Sequence, residues 1–242
     1  MNSNSSRENI DAFGRDVLEH GGYLYATNAS LSSRLAHRRI SDAVFAAVNF
    51  HGAAVIDVGC GDGVYTQEIL IRGQPARLHG IDLVPAAVEL TSRKMAGPAV
   101  SFGVGSAYEL PFPDRSFTIA HLRAVLHHMD RPQQAIQEAL RVAETIVIAE
   151  PNGNNFGVKL FERFSAYHRA HHEKSYSSYQ LNRWVRAAGG EIVQARFIGL
   201  VPTFCPDGVA RAAKFLEPAL EHLPLARDFG CSIYVLVAKR GG

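Results

Sequence analysis

The 242-residue chain is poor in cysteine, in long apolar runs and in blocks of like charge. Its three cysteines, Cys60, Cys205 and Cys231, are odd in number, far apart and form no C-x-x-C pair. That argues against a zinc ribbon or a disulfide framework and suits reduced thiols in a cytoplasmic protein. No apolar run approaches the ~18 residues a membrane helix needs, and the opening MNSNSSREN has no apolar signal core. The expected location is therefore the cytoplasm. No Lys/Arg block is long enough for a phosphate-binding stripe and the net charge is only +2, so nucleic acid is not an expected partner. With 47% hydrophobic residues, the chain has the material for one α/β domain with a buried core.

What is there in strength is a glycine turn. Val55 to Thr66 reads VIDVGCGDGVYT, an apolar run followed by Gly59, Gly61 and Gly63, and then a helical pattern. Strand, tight turn and helix in that order bring a backbone close to a ligand, which glycine permits. Asp82 closes the next apolar run about 20 residues on, the distance of a carboxylate that grips ribose hydroxyls. A dinucleotide fingerprint needs a third glycine where Val64 stands. Asp57 and Asp62 would also repel a pyrophosphate, whereas beside a cation they help. S-adenosylmethionine, with its sulfonium, ammonium and ribose, fits these residues better than NAD.

Three further blocks follow in order: GSAYELPFPDRSF (Gly105 to Phe117), FTIAHLRAVLHHM (Phe117 to Met129) and ETIVIAEP (Glu144 to Pro151). Together with the glycine turn they resemble the class I S-adenosylmethionine-dependent methyltransferases, over about Ala53 to Ile148. The resemblance implies a Rossmann-like, seven-stranded, mostly parallel sheet in the order 3-2-1-4-5-7-6 with helices on both faces. It also implies extra N-terminal helices and an insertion after the fifth strand. The cofactor would be S-adenosylmethionine and the product S-adenosylhomocysteine. Cofactor contacts are expected from Gly59, Cys60 and Gly61 in the turn, from Asp82 and Leu83, from Ser106 and Ala107, and from Leu122. Asp57 would face the cofactor's ammonium end or cap the turn. Tyr25, with Tyr23, would cover the sulfonium or pack the N-terminal helix.

The pattern itself predicts strands at 53–58, 77–82, 99–104, 117–122 and 144–150, with helices at 63–73, 85–96 and 132–143 between them. Such alternation means a parallel sheet with ligands past the strands' carboxyl ends. Helices are expected at 10–20 and 31–50 after a frayed tail at 1–9. Beyond Pro151 come helices at 156–172 and 177–188, a strand at 191–200, a helix at 208–222 broken by Pro218 and Pro224, and a strand at 230–238. The whole of 1–242 reads as one domain: cover helices 1–50, cofactor core 51–150, variable insertion 151–190, and C-terminal strands and helix 191–242.

For chemistry, His127-His128 and Glu150 stand out. The V-L-H-H-M stretch resembles that of small-molecule O-methyltransferases acting on sugars of natural products, where histidines and an acid after the fifth strand serve the acceptor hydroxyl. Imidazole is the side chain tuned to take such a proton near neutral pH. The expectation is methyl transfer to an oxygen or nitrogen of a small organic acceptor. Alternatives are a cofactor-binding module without catalysis and a nicotinamide-dependent reductase. Arg123 could pair with the cofactor carboxylate or reach an acidic acceptor. The acceptor pocket is assigned to the N-terminal helices and the aromatics of 152–176 (Phe156, Phe161, Phe164, Tyr167, Tyr176). His168, His171, His172 and Glu173 cluster, but without a zincin spacing, and no metal is expected. The amphipathic C-terminal helix is expected to pack on the sheet rather than on a membrane. Nothing specifies an oligomeric state.

Overall fold

Residues 54–58 (AVIDV) and 117–123 (FTIAHLR) are mostly apolar and almost wholly buried, as strands covered from two sides must be. In the computed structural model, which describes residues 3–23, 30–164, 173–203 and 205–241, they lie at the centre of one sheet. The strands are β1 (Ala54–Val58), β2 (Arg77–Asp82), β3 (Val100–Val104), β4 (Phe117–Arg123), β5 (Ala143–Pro151), β6 (Gly190–Ile198) and β7 (Ile233–Arg240). Their order is β3-β2-β1-β4-β5-β7-β6, as the resemblance implied. The first five are parallel, and β7 runs antiparallel between β5 and β6.

Helices α1 (Ser3–His20) and α2 (Leu31–Ala47) precede the sheet. Next come α3 (Val64–Glu68), continued by a π turn at Ile69–Gly73, then α4 (Pro85–Lys94) and α5 (Pro132–Val142). Pro85 and Pro132 open their helices, where a missing N–H costs nothing. After β5 come α6 (Phe156–Phe164), α7 (Ser178–Ala187), α8 (Asp207–His222) and the single-turn α9 (Ala226–Gly230). A reciprocal Ser177/Gln180 capping box starts α7.

Two apolar layers flank the sheet. On one side Ile56, Leu122 and Ile148 pack with Ile136 and Leu140 of α5 and Leu181 and Trp184 of α7. On the other, Val55, Ile119 and Val147 pack with Val44 of α2 and with Phe50. Fully burying one such side chain is worth about 1.5–3 kcal/mol.

Two of the departures from expectation have a plain physical reason. Helix α1 begins at Ser3, inside the stretch predicted to fray. Extending a helix is cheap once a nucleus exists, and Val17, buried against Val84 and Ala87, anchors one downstream. Helix α8 runs through Pro218 without ending. That residue is exposed, so its ring stands on the solvent side of the helix. Of the helix predicted at 156–172, residues 165–172 lie outside the described residues.

Candidate cofactor and acceptor cleft

The carboxyl ends of β1 to β5 open into a cleft of about 690 Å³. Its first wall is the glycine turn. Gly59 sits at φ +78°, and a Cβ there would stand 2.2 Å from Cγ2 of Val125. At Gly61, φ is +52° and a Cβ would meet the Tyr23 ring at 2.6 Å. No other residue type fits either position without displacing its neighbour.

The turn is fixed to the second strand by backbone and carboxylate. Gly59 and Cys60 donate to Ile81 O at 2.8 and 3.1 Å. Gly61 N donates to Asp82 Oδ2 and Val84 N to Oδ1, both at 2.9 Å. Each oxygen of Asp82 keeps a second lone pair, and the residue lines the cleft. Burial pushes its carboxyl above the ordinary range, against the pull of those N–H groups. Leu83, Ser106 and Ala107 continue this wall. The Ser106 hydroxyl accepts from Tyr108 N at 3.2 Å, so it helps shape its own turn.

The floor holds a buried cation. Arg123 donates to Ser41 Oγ at 2.9 Å and His37 O at 3.2 Å, and its guanidinium lies 3.5 Å from the Tyr65 ring centroid. Burial lowers its pKa from the usual arginine value. Burial, followed by the charge of Arg123, lowers His37 to about 4, which leaves that imidazole neutral at pH 7. Asp62 adds a carboxylate at the same end, accepting from Tyr23 N at 3.0 Å.

Opposite stand the histidines, in a 3-10 turn at Leu126–His128. Glu150, at the end of β5, caps this turn by accepting from Val125 N and Leu126 N at 2.8 Å and His127 N at 3.3 Å. His127 Nδ1 is 2.7 Å from Glu150 Oε2. A carboxylate only accepts, so Nδ1 carries the proton and Nε2 is the open nitrogen. Burial by itself would lower the His127 pKa, but the charge and hydrogen bond of Glu150 raise it above its ordinary 6.5. The His128 ring lies 3.9 Å from that of His127 and edge-on to Phe13 of α1 at 4.9 Å.

Nine of the expected site residues line the cleft: Gly59, Cys60, Gly61, Asp82, Leu83, Ser106, Ala107, His127 and His128. Asp57, Leu122 and Glu150 are not among the residues that line it. Asp57 is 3% exposed beneath the turn, where it accepts from the Thr66 hydroxyl and holds His121 Nδ1 at 2.7 Å. Leu122 points into the core, because alternate residues of a strand face opposite sides. Glu150 is engaged by the turn it caps and by His127 Nδ1. Tyr25 lies outside the described residues, while Tyr23 lines the cleft. Of the aromatics expected on the acceptor side, Phe156 and Phe164 are exposed and Tyr176 is buried against Trp184, while the Phe161 side chain and Tyr167 lie outside what the structure describes. Gly157 and Val158 line the cleft instead.

Sequence reasoning missed His37 and Tyr65, which also line the cleft, as does Glu173, which it had weighed only as part of a cluster with His168, His171 and His172. Tyr65 carried a readable signal, following the glycine turn directly. His37 carried none, since it looks like any polar position on a helix. Helix α8 packs on α2 through Arg39, which donates to Glu221 Oε1 at 2.8 Å, and it leaves Phe215 85% exposed. No helix among the described residues is long and apolar enough to cross a membrane.

The glycine cradle that a Cβ would fill and the Asp82 carboxylate facing the cleft fit an S-adenosyl nucleoside, and comparison with known proteins agrees. Residues 56–145 match the family model described as "Methyltransferase domain". A probable tocopherol O-methyltransferase, chloroplastic, of Oryza sativa subsp. japonica is 34% identical over 137 residues, 52% of this chain and 38% of its own length. The chain spans about two fifths or less of the length of the curated relatives it matches first. A Haloferax volcanii methyltransferase solved with the Trm112 activator superposes with a TM-score of 0.67 at 17% identity, covering 96% of this chain and 98% of that one. The cyclase SpnF gives 0.64 at 20% identity, with 97% and 93% covered. Those two likenesses are of fold. The nicotinamide alternative falls with the family: the chain carries a class I S-adenosylmethionine-dependent methyltransferase domain on a Rossmann-like sheet.

Proposed function

We propose that the protein moves the methyl group of S-adenosylmethionine to an oxygen or nitrogen of a small organic acceptor. One observation carries the reading. A single cleft joins a two-glycine cradle pinned to Asp82 with two imidazoles, one of them oriented by a buried carboxylate. When bound, the cofactor supplies a methyl on a sulfonium, which needs no acid to leave. The chain's residues bind and orient. Asp82 accepts from the ribose hydroxyls, and Leu83 and Ala107 give the base apolar contacts. Asp62 and Tyr65 favour the cationic end, and Arg123 the carboxylate.

His127 or His128 takes the acceptor's proton, and Glu150 holds His127 in the tautomer that can do so. Positioning is worth about 7–11 kcal/mol and outweighs the base, whose 10²–10⁴-fold is about 3–5 kcal/mol. Oxygen on an apolar body is the favoured acceptor, since the cleft is mostly apolar and the rice relative is named for O-methylation. A second reading, in which the nucleoside is bound without methyl transfer, stays open because one fold hosts many chemistries and SpnF, which shares this fold, is named a cyclase.

Calorimetry with S-adenosylmethionine and S-adenosylhomocysteine tests the first half. Asp82→Ala is expected to abolish binding of both, and undiminished affinity would refute the reading. Methylated product from a panel of phenols, sugars and amines tests the second half, and none despite tight cofactor binding would favour the cyclase-like alternative.

A further inference from the structure

His127, His128 and Glu173 each present one ligand atom, and these atoms all lie within 4.8 Å of one another. All three residues line the cleft. The histidines come from the turn after β4 and the carboxylate from beyond α6. Lys174 N donating to His127 O at 2.9 Å joins the two segments beside the group. With Nδ1 of His127 engaged by Glu150, its Nε2 is the atom left for a ligand. A carboxylate on the far nitrogen is the arrangement that orients metal-bound histidines and raises their basicity. We propose that His127, His128 and Glu173 bind one first-row divalent cation of the zinc type, with an open coordination position turned toward the acceptor.

The donor set supports that class of ion. Two imidazoles and one carboxylate suit zinc and its first-row neighbours, whereas magnesium and calcium prefer oxygen throughout. Three protein ligands with a fourth position open is the pattern of catalytic rather than structural zinc. Metal–ligand bonds of about 2.0–2.2 Å set tetrahedral ligands roughly 3.4 Å apart, so the group must contract from within 4.8 Å, by up to about 1.4 Å. Glu173, half-buried on a rotatable side chain, can supply that movement. The field is favourable as well, since Glu150, Glu173 and Glu162 all act on His127 with negative charge.

The inference rests on the methyl-transfer reading and names how that site activates its acceptor. A hydroxyl in the open position ionises more readily, as water does beside zinc. Its O–H bond breaks, the electron pair stays on oxygen and the proton passes to solvent water. In the cation-loaded protein the imidazoles hold the cation, and in the cation-free protein one of them takes the proton as proposed above. The sequence alone pointed to no metal because no single segment carries the three ligands.

The test is titration of chelator-treated protein with Zn²⁺ by calorimetry and with Co²⁺ by visible absorption, with circular dichroism confirming the fold of each variant. One cation per chain is expected, with a cobalt spectrum of tetrahedral intensity. Glu173→Gln and His128→Ala should each weaken binding at least tenfold while leaving affinity for S-adenosylhomocysteine within about twofold. Absence of stoichiometric binding, or binding equal in wild type and both variants, overturns the site. Cofactor binding measured on the same samples separates the two claims. A protein that takes the nucleoside but no cation loses only this inference, and one that takes neither loses the methyl-transfer reading too.

Discussion

The two sides of the cleft are built differently. The cofactor side consists of short loops after β1, β2 and β3, each held by backbone hydrogen bonds to its neighbour, such as Gly59 N to Ile81 O and Gly105 N to Asp82 O. The acceptor side is gathered from distant parts of the chain: Phe13 of α1, the 3-10 turn, Gly157 and Val158 of α6, and Pro202 before α8. One half is specified by main chain and a few obligatory glycines. The other is specified by which side chains happen to meet. Sequence motifs describe the first kind of construction well and the second kind hardly at all.

If this contrast is right, the strongest effect should come from the glycine turn. Gly59→Ala forces a Cβ onto Val125 at a left-handed φ, and cofactor affinity should fall at least 100-fold, measured by calorimetry. Affinity within threefold of wild type would mean that the loop is not the binding element.

On the acceptor side, His127→Ala and His128→Ala should lower the single-turnover rate, by 10²–10⁴-fold for whichever ring takes the proton, with cofactor affinity changed less than about twofold. Equal losses in affinity and rate would show both histidines to be structural.

The pH profile sharpens the distinction. His127 must be neutral to accept a proton, so the rate should rise with pH through an inflection above 6.5, because Glu150 raises its pKa. Glu150→Gln removes that charge and leaves burial, so the inflection should move to lower pH. The stability effect has the opposite sense. A raised histidine contributes stability that is full below the unfolded value of 6.5 and is lost as pH climbs through the folded one. Thermal melts against pH should show that loss in wild type and little of it in Glu150→Gln. Alanine is the wrong probe here, since it would strand three backbone N–H groups at about 1–3 kcal/mol each.

Arg123→Gln should act selectively, weakening S-adenosylmethionine by about 5–10-fold while leaving adenosine unchanged, because only the former carries a carboxylate. Equal effects on the two ligands would place the arginine's role in folding. The smallest effect belongs outside the cleft: Phe215→Ser on α8 should change stability by no more than about 0.5 kcal/mol and leave cofactor affinity alone.

Much of the fold could be read before the coordinates. The strand–glycine–helix order, the alternation through β5 and the acid ending β2 are local patterns, and they fall where expected. The seven-strand order was implied by family resemblance rather than by periodicity, since nothing in Gly190–Ile198 or Ile233–Arg240 specifies a neighbour. Within the site, Asp82 and the glycines were legible because their spacing is their function. Asp57 and Leu122 misled because a strand end shows which residues are near a cleft but not which face they take. Glu150 was legible as an acid, but not as a cap, since its three backbone donors come from a turn that no pattern announces. Phe156 and Phe164 misled too, since aromatic content says nothing of direction.

The position of β7 has a consequence for how the molecule is made. Because that strand lies between β5 and β6, β6 has no partner in the sheet until residues 233–240 arrive. A ribosome delivers β1 to β5 well before then, at about 5–20 residues per second, so the nucleoside half can assemble while an open edge of β5 waits. A nascent chain stalled ahead of Ile233 would therefore expose the backbone of Thr145 to Pro151, whose partners in the finished protein are Lys239 to Ile233.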